Sequence, residues 1–273
     1  MSELAVVGGD IAIIGVGNMG GAIVAGLTEA GFAPQRIRVV DPNTATAVAQ
    51  QYGVVPMPDA AQAALGASMI IIAVKPPMVR DTVTQCAATL TPGALVISVA
   101  AGVTIANIEG WASEAHNPSP GVIRAIPNTP ARLRQGVTAM SLGGSVTEAQ
   151  VQAAQAVFGA IGAVVLVDEP QMAAVTAVSG CGPAYLFLVA EAMTEAGVRL
   201  GLPRAAASRL VTHTFGGSSA LLATGESPTE LRAQVTSPGG TTAAAIFELE
   251  NRGLRAAFSA GMQAAVDRSR ELA

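Results

Sequence analysis

The 273-residue chain is 51% hydrophobic and only 12% charged, with a net charge of −4 and a pI near 5.2. Single cores tend to split beyond roughly 250 residues, so two domains are expected. Arg and Lys gather on no one face, which excludes the electrostatic footprint of a nucleic-acid binder. The mean hydropathy is +0.48.

In chain order, short β-rich apolar runs at 11–16, 37–40, 69–74, 95–99, 122–125 and 164–167 alternate with helical stretches. That alternation predicts an α/β fold with a doubly wound parallel sheet, to which 136–142 adds a strand near the edge. From about residue 171 the period changes. Segments 184–200, 203–223, 228–234, 242–251 and 254–272 read as helices, with Pro203 and Pro228 suited to first turns and Ser227 and Glu230 at capping-box spacing. The boundary is expected near Asp168, Glu169 and Pro170, giving a Rossmann domain over 1–168 and an all-α domain over 169–273. Leu186, Phe187, Met193, Leu210, Leu221 and Phe258 lie on the faces of an Ala-rich helical domain that is small for an independent core. Either a second copy covers them or they form an intrachain core.

No apolar run of about 20 residues is uninterrupted. The stretch 82–108 is punctuated by Gln85, Pro92, Gly93, Gly102 and Asn107, and the stretch 171–190 by Gly180, Gly182 and Pro183. Glu3 and Asp10 without a basic cluster do not resemble a secretory signal. A cytoplasmic protein with no membrane partner is expected. Cys86 and Cys181 lie too far apart for zinc spacing, and His116 and His213 have no His or Cys neighbours, so no metal is expected.

The buried run 11–14 leads into Gly15-Val16-Gly17-Asn18-Met19-Gly20 and then a helix. This is the dinucleotide fingerprint in its required context. Gly15 permits the tight turn, Gly17 admits the pyrophosphate, Gly20 lets helix and strand approach, and the helix start supplies free N–H groups. Asp41 ends the second strand, where it either accepts from the adenosine ribose hydroxyls or caps the Pro42 turn. No Arg follows closely, although Asn43 and Thr44 could donate. Ala73-Val74-Lys75-Pro76 ends a further strand. Lys75, the only lysine, is either a compact ammonium beside cofactor phosphate or a solvated loop charge. After the next strand, Ala100, Ala101 and Gly102 are small enough for a nicotinamide to lie against backbone.

Ser237-Pro238-Gly239-Gly240-Thr241-Thr242 precedes a helix and makes either a carboxylate-binding nest or an ordinary cap. The loop from Ser179 to Tyr185 allows close approach of a ligand or of a neighbouring helix. No Ser-His-Asp order, activated Cys or paired carboxylates emerge, so hydride transfer, whose reactive hydrogen the cofactor carries, fits better than hydrolysis.

These motifs, with Arg124, Pro127-Asn128-Thr129-Pro130 and Leu249-Glu250, make the chain resemble the pyrroline-5-carboxylate reductases over nearly its whole length. The resemblance implies NADPH or NADH reducing 1-pyrroline-5-carboxylate to L-proline, the last step of proline biosynthesis. It also implies a helical dimerisation domain, homodimers assembling to decamers, and an active site that includes helices of the partner. Cofactor contacts are implied at Ile14, Gly15, Val16, Gly17, Asn18, Met19, Asp41, Val74, Lys75, Pro76, Ala100, Ala101, Gly102 and Gln234. Ser237, Gly239, Gly240, Thr241 and Thr242 are implied to bind substrate, with Thr242 on the ring nitrogen and Glu169 close to the ring, favouring the iminium. Asp41 and Ala60 stand where many members have a small hydroxyl residue and Asn. Both remove donors to a 2′-phosphate, so NADH use is expected. The alternatives are a related reductase and a dinucleotide-dependent regulatory module.

Overall fold

The computed structural model describes residues 3–114 and 120–271; His116 and Leu272 lie outside the described residues. Strand β1 (Ile11–Ile14) leads into helix α1 (Asn18–Glu29), followed by β2 (Ile37–Val40), α2 (Ala45–Tyr52), β3 (Val55–Pro56), α3 (Ala60–Ala64) and β4 (Met69–Ile72). Then come α4 (Val79–Ala87), β5 (Leu95–Ser98), α5 (Ile105–Ser113), β6 (Gly121–Pro127), β7 (Gly136–Leu142), α6 (Glu148–Gly159) and β8 (Gly162–Leu166). The helical half contains α7 (Met172–Val175), α8 (Gly182–Arg199), α9 (Arg204–Leu222), α10 (Pro228–Gln234), α11 (Thr241–Asn251) and α12 (Leu254–Glu271).

The strands of the first half form one sheet in the order β3-β2-β1-β4-β5-β6-β7-β8. The strands run parallel from β3 through β6, β7 is antiparallel to β6, and β8 is parallel to β7. The expected strand at 136–142 is present, but β8 lies outside it and forms the edge. The opposite edge, β3, is two residues long and ends in Pro56. Strand β8 has five residues, with Val165 and Leu166 exposed.

Side-chain alternation explains why both faces are covered. Ile11 and Ile13 join Ile23, Leu27 and Phe158 in one core, whereas Ala12 and Ile14 join Ile70, Ile72, Val83 and Ile108 in another. Each fully buried Ile contributes about 2–3 kcal/mol. In register, Ile14 pairs with both Val40 and Ile72, and Ile72 with Ser98. The carboxyl ends of β2, β1, β4 and β5 therefore form one rim. Strand order reverses between β1 and β4, which opens a crevice at that rim.

Contacts divide the chain into two compact units, Met1–Cys181 with Ala265–Ala273, and Gly182–Ala264. Ala207 and Val211 are the only buried hydrophobic residues of the second unit, while Leu186, Phe187, Leu188, Leu210 and Phe247 are exposed. The intrachain-core alternative is therefore not realised. Ser227 caps α10 with the expected box, in which its side chain accepts from the Glu230 N–H. Pro228 occupies the first turn of α10, whereas Pro203 precedes α9 as its N-cap residue.

One expectation is corrected. The stretch 171–190 was expected to be interrupted at Gly180, Gly182 and Pro183, yet Glu169–Arg199 is one continuous helical run, long and apolar enough in composition to cross a membrane. A π turn at Thr176–Gly180 leads through Cys181, whose backbone stays in the right-handed helical region, into α8, which begins at Gly182 and Pro183.

Candidate cofactor and substrate site

The glycine loop sits at the rim between β1 and β4. Gly15 has φ +92°, and a Cβ there would stand 2.7 Å from the Ala73 carbonyl oxygen. A Cβ on Gly20 would fall on the Gly15 carbonyl oxygen, so strand, turn and α1 close on one another only without side chains. Gly17 differs, because a Cβ on it meets nothing within 4 Å. As the N-cap of α1 it makes no side-chain cap bond. The first N–H groups of α1 thus start beside open space, as pyrophosphate binding requires.

A groove of about 610 Å³ lies alongside, lined by Ile14, Gly15, Gly17, Asp41, Val74 and Lys75 among others. An adjoining depression of about 500 Å³ is lined by Pro76, Ala101, Gly102, Asn107 and Trp111. Ala100 is buried beneath, its N–H donating to Ser98 Oγ at 3.3 Å. Val16, Asn18 and Met19 continue the loop into α1, Met19 packing partly against the core. The predicted cofactor residues of the first unit therefore converge, and their open glycine backbone and uncapped helix start fit a dinucleotide.

Asp41 serves the turn. Its Oδ1 accepts from the Asn43 and Thr44 N–H groups at 2.9 and 3.0 Å, and its Oδ2 from the Val16 N–H at 3.1 Å. Desolvation opposes the charge, but the bonds from Asn43, Thr44 and Val16 outweigh it and hold the carboxyl below its ordinary 3.8. Sequence reasoning missed Asp59 and Asp81, which also line the groove. Asp59 caps α3 through a bond from the Gln62 N–H at 2.8 Å, and the capping pattern was the available signal. Lys75, exposed at the same groove, is the N-cap residue of the turn Pro76–Met78.

Glu169 reaches the start of α5. Its Oε1 accepts from the Ile105 N–H at 2.7 Å and lies 3.4 Å from Arg124 Nη1. Arg124 is 6% exposed, and its Nε has no partner among the described residues. The carboxylate thus fixes the helix that follows the Ala100–Gly102 turn, a role beyond the expected proximity to a substrate ring.

The second unit holds the other loop. Gly239 has φ +70°, and a Cβ on Gly240 would collide with Ser237 Oγ. Gly240 N-caps α11 without a side-chain bond, leaving the first-turn N–H groups of Thr241 and Thr242 without a cap. Thr242 is half-buried, whereas Ser237, Gly239 and Thr241 are exposed. Gln234 ends α10, exposed, with Nε2 donating to Glu226 Oε2 at 2.6 Å. Among the described residues no group of three or more His, Cys, Asp or Glu could hold a metal. Burial, with Asp59 adding to it, pushes the Cys86 thiol up to about 12 and keeps it unreactive.

Two family models match: pyrroline-5-carboxylate reductase dimerisation over residues 169–272, and coenzyme F420-dependent NADP oxidoreductase over 10–102. A pyrroline-5-carboxylate reductase of Corynebacterium melassecola is 42% identical, with 96% of this chain and 98% of that protein aligned. The solved structure of a pyrroline-5-carboxylate reductase from Coxiella burnetii superposes with a TM-score of 0.91 at 38% identity, covering 97% of this chain and 98% of that one. The Plasmodium falciparum pyrroline carboxylate reductase, solved with NADP bound, gives 0.85 at 25% identity over 97% and 98%.

Proposed function

Given that the chain belongs to the pyrroline-5-carboxylate reductase family, we propose which of its residues hold the imine, which cofactor it prefers and how it assembles. The activity is NAD(P)-dependent reduction of pyrroline-5-carboxylate. Its product is L-proline, and we place the reaction at the last step of proline biosynthesis in the cytoplasm.

The observation that carries the substrate reading is the uncapped glycine start of α11. The N–H groups at Gly239 and Thr241, with the Ser237 hydroxyl, hold the substrate carboxylate, while Gly240, whose N–H donates to the Ser237 carbonyl at 3.0 Å, shapes the turn around it. The Thr242 hydroxyl oxygen accepts from the iminium N–H and so orients the imine carbon. When bound, the nicotinamide supplies the hydride. Addition at the carbon of the iminium turns C=N into a C–N single bond with one new C–H; the π pair becomes the amine lone pair, and the nitrogen keeps the proton it took from solvent when the iminium formed. Glu169 borders the ring and favours the protonated form. The domain boundary is placed at 168/169, which the matched start of the dimerisation model supports.

NADH is the preferred cofactor. Asp41, Asp59 and Asp81 line the groove against a single cation, Lys75, so a 2′-phosphate meets repulsion. Gln234 contributes to the cofactor site from the end of α10. The chain forms homodimers through the exposed apolar residues of 182–264, which a second copy covers instead of lipid, and the dimers assemble to decamers.

The test follows absorbance at 340 nm with racemic pyrroline-5-carboxylate and each cofactor in turn, for the wild type and Thr242→Ala. Substrate-dependent loss of absorbance is expected, with kcat/KM reduced by about 100-fold in the variant. Unchanged turnover and KM in Thr242→Ala would remove that residue from the mechanism.

A further inference from the structure

The continuous helix from Glu169 to Arg199 poses a local problem, because Pro183 has no N–H to offer the Ser179 carbonyl four residues earlier. A proline ring also crowds that carbonyl. Within the π turn, the Cys181 N–H donates to the Thr176 carbonyl at 2.8 Å. The Ser179 carbonyl instead accepts from Asn128 Nδ2 at 3.1 Å. The other end of the same amide, Oδ1, accepts from the Val137 N–H at 2.9 Å. Asn128 is half-buried at the end of β6, and Val137 opens β7.

We propose that Asn128 is a positioning residue that fastens the π turn to the central sheet, taking the place of the backbone donor that Pro183 lacks. Resting on the reading that Glu169 and Thr242 serve the imine, the role is to hold the segment 169–181 in register while touching neither substrate nor cofactor. The residue type follows from the geometry. Only a side chain with donor and acceptor at its two ends bridges a carbonyl and an N–H. Asp would set a carboxylate oxygen against the Ser179 carbonyl. The glycine loop and Lys75 groove do not include Asn128, so cofactor affinity is independent of it.

The experiment is a double-mutant cycle of Asn128→Ala and Pro183→Ala, the latter returning an N–H to position 183. Melting temperature, kcat and KM for the imine are measured on the full chain, and cofactor Kd is read from quenching of Trp111, the only tryptophan. Asn128→Ala is expected to lower Tm by about 3–6 °C and kcat/KM for the imine by about tenfold, with cofactor Kd unchanged. In the Pro183→Ala background the loss should shrink to about threefold or less, and Asn128→Asp should do no better than Asn128→Ala. Equal losses in both backgrounds, or a parallel loss of cofactor affinity, would overturn the proposal. So would a Tm drop with unaltered kinetics. If Asn128→Ala does not fold, a folded double variant supports the coupling, and an unfolded one beside folded Pro183→Ala refutes it. Failure of the substrate reading would show separately, as a Thr242→Ala enzyme with normal kinetics, while the Tm arm of the cycle would still report the coupling.

Discussion

Replacing Asp41 by Asn is the sharpest test of the cofactor groove. The amide oxygen still accepts from the Asn43 and Thr44 N–H groups, whereas the amide nitrogen faces the Val16 N–H and loses that bond; this loss weakens both cofactors alike, so the ratio between them isolates the charge. For about 6 Å between Asp41 and a 2′-phosphate and an effective dielectric near 20, each unit of charge costs roughly 2.8 kcal/mol. A phosphate charge approaching −2 raises this to about 5 kcal/mol. Screening over a Debye length of about 8 Å halves it to about 2.5 kcal/mol, a discrimination of roughly 60-fold. The assay is the ratio of kcat/KM for NADH to that for NADPH, which should exceed one in the wild type and fall by about 60-fold in Asp41→Asn. Below about pH 6 the phosphate takes up a proton, so discrimination should weaken there. Asp41, whose carboxyl is held below its ordinary 3.8, is still charged between about pH 6 and 4, where the phosphate has already lost charge. Equal or better use of NADPH by the wild type, or a ratio unmoved by the substitution, would refute the argument.

The same depressed carboxyl has a stability signature. A folded pKa lower than the unfolded one contributes stability above the ordinary 3.8 that is lost as pH falls through the folded value, so thermal melts of wild type and Asp41→Asn should differ at neutral pH and converge in acid. Gly20→Ala should abolish cofactor binding in a titration, since its methyl group falls on the Gly15 carbonyl. Arg124→Met leaves Glu169 without its cation and should cost about 2–3 kcal/mol in denaturant melts; adding Glu169→Gln should recover part of that loss. Phe187→Glu, placed on the uncovered face of α8, should give monomers in sedimentation velocity.

The β1–α1 loop was legible in the sequence because each of its glycines answers a separate steric demand, whereas the loop before α11 read equally as a carboxylate nest or an ordinary cap, since Ser, Gly and Thr serve both. Helix limits in the second half were readable from capping chemistry, as at Ser227 and Glu230. The direction of β7 was not legible, since an apolar run carries no sign of whether its neighbour is parallel. Asp59 and Asp81 went unnoticed in the sequence, because only the sheet order brings the start of α3 and α4 to the rim beside Asp41. The helix that continues past Pro183 depends on Asn128, 51 positions from Ser179, and no local pattern encodes so distant a donor. Asp41 was ambiguous between ribose and turn, and the structure engages it in the turn.

The two edges of the sheet set how the chain can go wrong while it folds. Strand β3, two residues ending in a proline, offers an incoming strand almost no hydrogen-bonding length. Strand β8 offers five residues, Val165 and Leu166 exposed among them. An extended segment of another nascent chain will therefore add at β8 and not at β3. Crowded synthesis or refolding at high concentration is then a race between mispairing at β8 and completion of the proper assembly, and the yield of active protein measures which one wins.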